Sequence, residues 1–116
     1  MNRLPRLAYL TTDPCNAATV EAPAATHRLD LDIVEPRDLP RLERERAALV
    51  LDWDALPPDY QARLLNSAAV DVVAIHGYNL DDGLASFLPA RGILCGRRLD
   101  DGFVQALTAA ARARAA

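Results

Sequence analysis

Aromatic side chains are scarce in this chain: one Trp, three Tyr and two Phe make up 5% of its 116 residues. A core must therefore be built from Leu, Val, Ile and Ala, and there is no aromatic platform on which bases could stack. Positive charge is not in excess either. Thirteen basic against sixteen acidic residues give a net charge of −3, which argues against nucleic-acid binding, whose footprint is a basic face. Cysteines number two, Cys15 and Cys95, and their spacing matches no metal motif. No apolar run approaches the roughly 20 residues that a membrane span needs, so no membrane association is expected. The opening MNRLPRLAYL is too short and strand-like for a signal peptide. The expected location is the cytoplasm, where both thiols stay free. A glycine-rich phosphate loop, a P-loop and a nucleophile elbow are absent. Asp81-Asp82-Gly83 reads as a turn leading into a helix, because a calcium loop needs a much longer set of alternating ligands.

What is present is a globular balance, with 51% hydrophobic and 25% charged residues. The length suits a single domain spanning 1–116, able to bury roughly two-thirds of its unfolded surface without a disulfide or metal staple. Its organising stretch is Ala47 to Pro58, AALVLDWDALPP. Ala47 to Leu51 reads as a strand buried on both faces, as in a central parallel strand covered by helices. Asp52 and Asp54 then fall at its carboxyl end, before Pro57 and Pro58 stop it. In open α/β sheets that edge is where ligands bind.

The rest of the chain alternates. Leu4 to Thr12 contains a short strand, and Asp13-Pro14 reads as a helix cap followed by proline in the first turn. The Ala-rich helix that follows should end or kink at Pro23. Arg28 to Val34 alternates Leu29, Leu31 and Ile33 with Asp30 and Asp32, the period of a half-exposed edge strand. Pro36 to Glu45 holds a short helix with Asp38 as its cap. Asp59 to Ala69 forms a helix with Tyr60, Leu64 and Leu65 inward and Gln61 and Arg63 outward. Val70 to His76 is a second buried strand stopped by Gly77. Leu80 to Leu88 forms a short helix before Pro89, and Gly92 to Gly96 is the last strand. Asp100 caps a final helix with Phe103, Val104 and Leu107 as its apolar stripe. From about residue 110 the sequence drifts into Ala and Arg, as a helix end or a linker to a further domain.

Five β-α units specify a parallel sheet with helices on both faces, and right-handed crossovers leave few topologies. The expected fold is α/β, a flavodoxin-like three-layer sandwich with strand order 2-1-3-4-5, which centres the most apolar strand and puts the polar second strand at an edge. That order places strands three and four between Cys15 and Cys95. At about 4.8 Å per strand the separation is roughly 14 Å, beyond disulfide reach.

Over essentially its whole length the chain resembles the receiver domains of two-component response regulators. LVLDWDALPP is similar to the receiver segment in which the third strand delivers a phosphoaccepting aspartate, shortly followed by proline, and this puts Asp52 at that position. The resemblance implies an acidic pair after the first strand to hold magnesium; YLTTDP has Thr11 and Thr12 there, with Asp13 one place later. It implies Thr or Ser after the fourth strand, where VAIHGYN has His76 or Gly77, and Lys-Pro after the fifth, where CGRRLDD has Arg97-Arg98. Asp52 is otherwise read as a partly buried carboxylate held by hydrogen bonds or a cation, Asp54 as a solvated loop acid, and His76 as a polar loop residue. Trp53 reads as a packing residue; with Tyr78 and Arg98 it is also a candidate for partner contact.

These departures point to a degenerate receiver, a pseudo-receiver of bacterial-type signalling: no enzyme, no cofactor and no metal, acting by contact with a protein partner. The surface from about Leu80 to Ala113 is the expected face, for a partner or a second copy. A phosphoaccepting receiver using Asp52 and a small ligand-binding flavodoxin-like domain are the alternatives. In the degenerate pocket, Arg97 is expected to lock Asp52 in a charge-assisted hydrogen bond.

Overall fold

Residues 6–115, which a computed structural model describes, alternate strand and helix five times. The strands are β1 (Arg6–Leu10), β2 (Asp30–Val34), β3 (Ala48–Asp52), β4 (Asp71–His76) and β5 (Leu94–Gly96). The α-helices are α1 (Pro14–Thr26), α2 (Leu39–Glu45), α3 (Pro58–Asn66), α4 (Asp82–Ala90) and α5 (Asp101–Ala115). All strand pairs are parallel, in the order β2-β1-β3-β4-β5. The fold is thus α/β and flavodoxin-like, with the polar β2 at one edge and the three-residue β5 at the other.

The apolar run Leu49, Val50 and Leu51 makes β3 central, because successive side chains leave opposite faces of the strand and both faces are covered. On one face, Tyr9, Val50 and Ala74 pack with Val20 and Ala24 of α1 and with Phe103, Val104 and Leu107 of α5. On the other, Leu10, Leu49, Leu51 and Ile75 pack with Leu39 and Leu42 of α2, Leu64 of α3 and Leu88 of α4. A register shift between Leu49 and Val50 absorbs one extra β4 residue, so that Asp52 lies directly beside His76 at the carboxyl edge.

Several boundaries move. Leu4 and Pro5, at the start of the expected first strand, lie outside the described residues. Pro23 does not end α1: the helix continues one turn to Thr26, since proline removes a single intrahelical donor and the bond from His27 N to Pro23 O is still made. Pro89 is likewise inside α4. The third helix stops at Asn66, short of the expected Ala69. Gln61 is half-buried, its amide donating to Trp53 O at 2.9 Å. Asp38 accepts from Glu35 N at 2.9 Å but makes no side-chain cap on α2. Asp13 and Asp100 do cap: Asp13 accepts from Cys15 N at 2.8 Å and Asp100 from Phe103 N at 2.9 Å. Asp81 caps α4 through Leu84 N. Cys15, exposed on α1, and Cys95, in β5, are both free.

Candidate functional site

The carboxyl ends of β1, β3 and β4 meet in a polar cluster on the sheet face covered by α1 and α5. Asp52 ends β3 with its side chain fully buried, at 0% exposure. Such a charge is tolerable only if hydrogen bonds replace its water. Oδ2 accepts from Thr11 Oγ1 at 2.6 Å and from Asn16 Nδ2 at 2.8 Å. The short O–H···O distance is that of a charge-assisted bond. Asp13 N donates in turn to Thr11 Oγ1 at 3.0 Å, fixing the hydroxyl so that its proton points at Asp52. Hydrogen bonds thus retain Asp52 in the core, where it is buried completely rather than partly.

Its other oxygen, Oδ1, has no hydrogen-bond partner and lies 3.9 Å from His76 Nδ1. His76 ends β4, where the sequence pattern puts the end of that strand, but its side chain is not that of a polar loop residue: it is 0% exposed, enclosed by its register partner Asp52 and the ring of Phe103, 5.9 Å away. Neither imidazole nitrogen finds a partner. Burial pushes the imidazole below its ordinary value, and the charges of Asp52 and Asp54 only partly oppose that. Tyr9, two residues before Thr11 on the same face, is also fully buried with an unpartnered hydroxyl. Burial, then the charge of Asp52, hold that phenol far above its usual value.

The remaining expected site residues divide. Thr12 is exposed and donates to Ala55 O at 3.2 Å. Asp13 is committed to the α1 cap. Gly77 N donates to Gly96 O, and a Cβ at Gly77 would press on Trp53 Cβ at 3.2 Å and Asp54 Oδ1 at 3.3 Å. Arg97 corrects the locked-pocket expectation: its guanidinium bonds Leu80 O at 3.1 Å and the Asp82 carboxylate, not Asp52. The reason is local, since β5 ends at Gly96 and the exposed chain beyond it lies beside the start of α4. Asp54 is more than a solvated loop acid: although exposed, it accepts from Tyr78 N at 2.8 Å and Asn79 N at 3.4 Å, tying the turn after β3 to the turn after β4. Trp53 is half-buried against the α2–α3–α4 core, while Tyr78 and Arg98 are exposed.

Asn16 and Tyr9 were not among the expected site residues. The signal for Asn16 is its place in the row Asn16, Val20, Ala24, the buried stripe of α1; a polar residue in such a stripe needs a buried partner.

The magnesium site that the receiver resemblance implies does not fit these residues. Magnesium takes carboxylates and retains several waters in octahedral array. Here the one buried carboxylate is sealed from solvent and already bonded on Oδ2, and two threonines stand where the acidic pair would be. Among the described residues no three His, Cys, Asp or Glu side chains are grouped to hold a metal ion. No helix among them is long and apolar enough to cross a membrane. No family model, curated protein or solved structure matches the chain.

Proposed function

We propose that this domain is a receiver-like module of a signalling or regulatory pathway, acting by protein contact rather than by accepting phosphate at Asp52. The burial of the Asp52 carboxylate supports this reading most directly. In-line phosphoryl transfer needs the attacking oxygen exposed to the donor and the developing charge neutralised by a metal. Asp52 offers one oxygen bonded to Thr11 and Asn16 and another facing a neutral imidazole. The contact surface would be α4, β5 and α5. Phe87 is 52% exposed there, with the Arg91 guanidinium 5.7 Å from its ring centroid; aromatic residues and arginine are the types enriched at protein interfaces. Arg97 and Arg98, both exposed, follow β5 on the same α4–β5–α5 side of the sheet.

Incubation with acetyl phosphate and magnesium, followed by intact mass measurement, should leave the protein unmodified. A gain of one phosphoryl group, abolished by Asp52→Asn, would overturn the reading in favour of a phosphoaccepting receiver. Capture of a protein from the native host should be lost with Phe87→Asp and kept with Ile33→Asp, at the opposite sheet edge. If sedimentation shows the chain pairing with itself through the same face, the partner is a second copy.

A further inference from the structure

Once Thr11 and Asn16 have satisfied Asp52 Oδ2, four buried polar atoms at this corner remain without partners: the Tyr9 hydroxyl, Asp52 Oδ1 and both nitrogens of His76. Native interiors rarely leave such atoms unpaired, and where they do the site is often functional. Above His76 lies Tyr78, its ring edge-on at 4.8 Å between centroids. Tyr78 itself is 51% exposed, and its hydroxyl reaches Asn16 Oδ1 only at 3.5 Å. Both ends of the turn that carries it are anchored, Gly77 N to Gly96 O and the buried Leu80 through its carbonyl to the Arg97 guanidinium, but between them the exposed Tyr78 and Asn79 are held through their amides by Asp54 Oδ2, with one long bond of 3.4 Å from Leu80 N to Gly77 O closing the turn. The half-exposed Tyr78 ring thus packs on a fully buried imidazole from a two-residue tip whose amides are tied to one exposed carboxylate.

We propose that the tip of this turn, Tyr78 and Asn79, is a proton-operated lid: Tyr78 closes over neutral His76, and uptake of a proton by His76 swings it open. The groups facing the imidazole decide the sign. From β3 and the turn after it come the carboxylates of Asp52 and Asp54, and from the lid the phenol of Tyr78; the phenol of Tyr9 on β1 is coupled to Asp52 and Tyr78. The neighbours on α1 and α5, Asn16 and Phe103, are uncharged, and on β5 the register partner is Gly96, with Arg97 turned to Asp82. Asp52 is close enough to attract an imidazolium but, at 3.9 Å, makes no hydrogen bond to stabilise one in the closed state. Burial therefore dominates, and the closed form holds His76 below its ordinary value. In the open form the ring is hydrated and titrates near its ordinary value of about 6.5. The open-to-closed ratio must then rise as pH falls below about 6.5, by as much as about tenfold per pH unit, and level off once the closed form itself protonates. This device does not depend on the proposed partner, and its test uses the isolated domain.

Hydrogen exchange of the Tyr78, Asn79 and Leu80 amides, corrected for intrinsic rates, reads the opening directly. Between pH 7.5 and 5.5 exchange should rise about tenfold in the wild type while the β3 amides stay protected. His76→Gln, which keeps a polar side chain but cannot titrate in this range, should abolish the rise, and Asp54→Asn should keep it. A wild type without the rise, or a His76→Gln variant that retains it, overturns the proposal. Should His76→Gln fail to fold, Tyr78→Ala decides: removing the lid should move the NMR titration midpoint of His76 upward toward about 6.5, and an unmoved midpoint overturns it.

Discussion

Asn16 and Asp52, 36 residues apart in sequence, are joined by a 2.8 Å hydrogen bond from Asn16 Nδ2 to Asp52 Oδ2 that pins the start of α1 to the end of β3. Because the acceptor is a buried carboxylate, this bond outweighs an ordinary surface contact. Asn16→Ala should cost about 1.5–3 kcal/mol by urea denaturation. The cost should shrink when Asp52 is already Asn, since the pair shares one interaction. Equal costs in both backgrounds would mean that the bond does not hold the site.

Arg97 provides the contrast. Its partners are Leu80 O and the exposed carboxylate of Asp82, and surface ion pairs of this kind contribute at most about 1 kcal/mol. Arg97→Ala should therefore lower stability by less than about 1 kcal/mol, leaving the Asp52 environment intact. A larger loss, rescued by also replacing Asp52, would restore the locked-pocket arrangement that the sequence suggested.

Within the sheet, Leu51 is fully buried and packs between β3 and the α2–α3–α4 layer. Leu51→Ala should cost about 2–5 kcal/mol. Asp54→Ala, by contrast, removes only an exposed acceptor for the Tyr78 and Asn79 amides and should cost about 1 kcal/mol. Thermal or urea unfolding that ranks the two equally would place β3 at an edge rather than at the centre.

The edge of β5 gives a steric prediction. A Cβ on Gly96 would collide with the Phe103 ring, meeting its Cδ1 and, at 2.8 Å, its Cε1. Overpacking of this type costs about 1–3 kcal/mol. Gly96→Ala should be destabilised by that amount, and Gly96→Ala combined with Phe103→Leu should recover part of it. No recovery would show that Phe103 does not seal this corner.

The architecture was legible because it rests on hydrophobic periodicity. Leu49 to Leu51 and Val72 to Ile75 read as central strands, and the alternation of Leu29, Leu31 and Ile33 with Asp30 and Asp32 suits an edge, although in β2 Ile33 is exposed and Asp32 half-buried. The position of Asp52 followed from the same run. Its partners did not, because they depend on which residue of α1 and which of β1 face one carboxylate across the sheet. Asn16 lies within an Ala-rich helix with little amphipathic contrast, and Tyr9 reads as an ordinary strand aromatic. Arg97 was placed by correspondence of position, whereas the exposed chain after β5 carries its guanidinium to the start of α4. The strand ending at His76 is legible in its apolar run, but a histidine at a strand end is commonly a polar loop side chain, and only the packing of Asp52, Tyr78 and Phe103 around it shows that this one is enclosed.

Tyr9 offers the sharpest test of how this corner is built. Its hydroxyl is fully buried without a well-formed hydrogen bond, the Thr11 hydroxyl nearby favouring the ionised phenol less than burial opposes it, so it costs desolvation and returns little. Tyr9→Phe keeps the ring in the α1–α5 core while removing that cost, and at pH 7 it should leave stability unchanged or raise it by about 1 kcal/mol. The pH dependence follows from linkage. Burial and the Asp52 charge hold the native phenol protonated well above the value of about 10 at which it ionises in the unfolded chain. Above about pH 10 the native state therefore binds more protons than the unfolded state. The stability contributed by Tyr9 is complete below that pH and is lost as pH rises beyond it. Urea unfolding from pH 7 to 11 should show an alkaline decline in the wild type that is reduced in Tyr9→Phe. A loss of more than about 1 kcal/mol for Tyr9→Phe at pH 7, with the alkaline decline unchanged, would show that the hydroxyl is hydrogen-bonded in solution and that the corner is not under-satisfied.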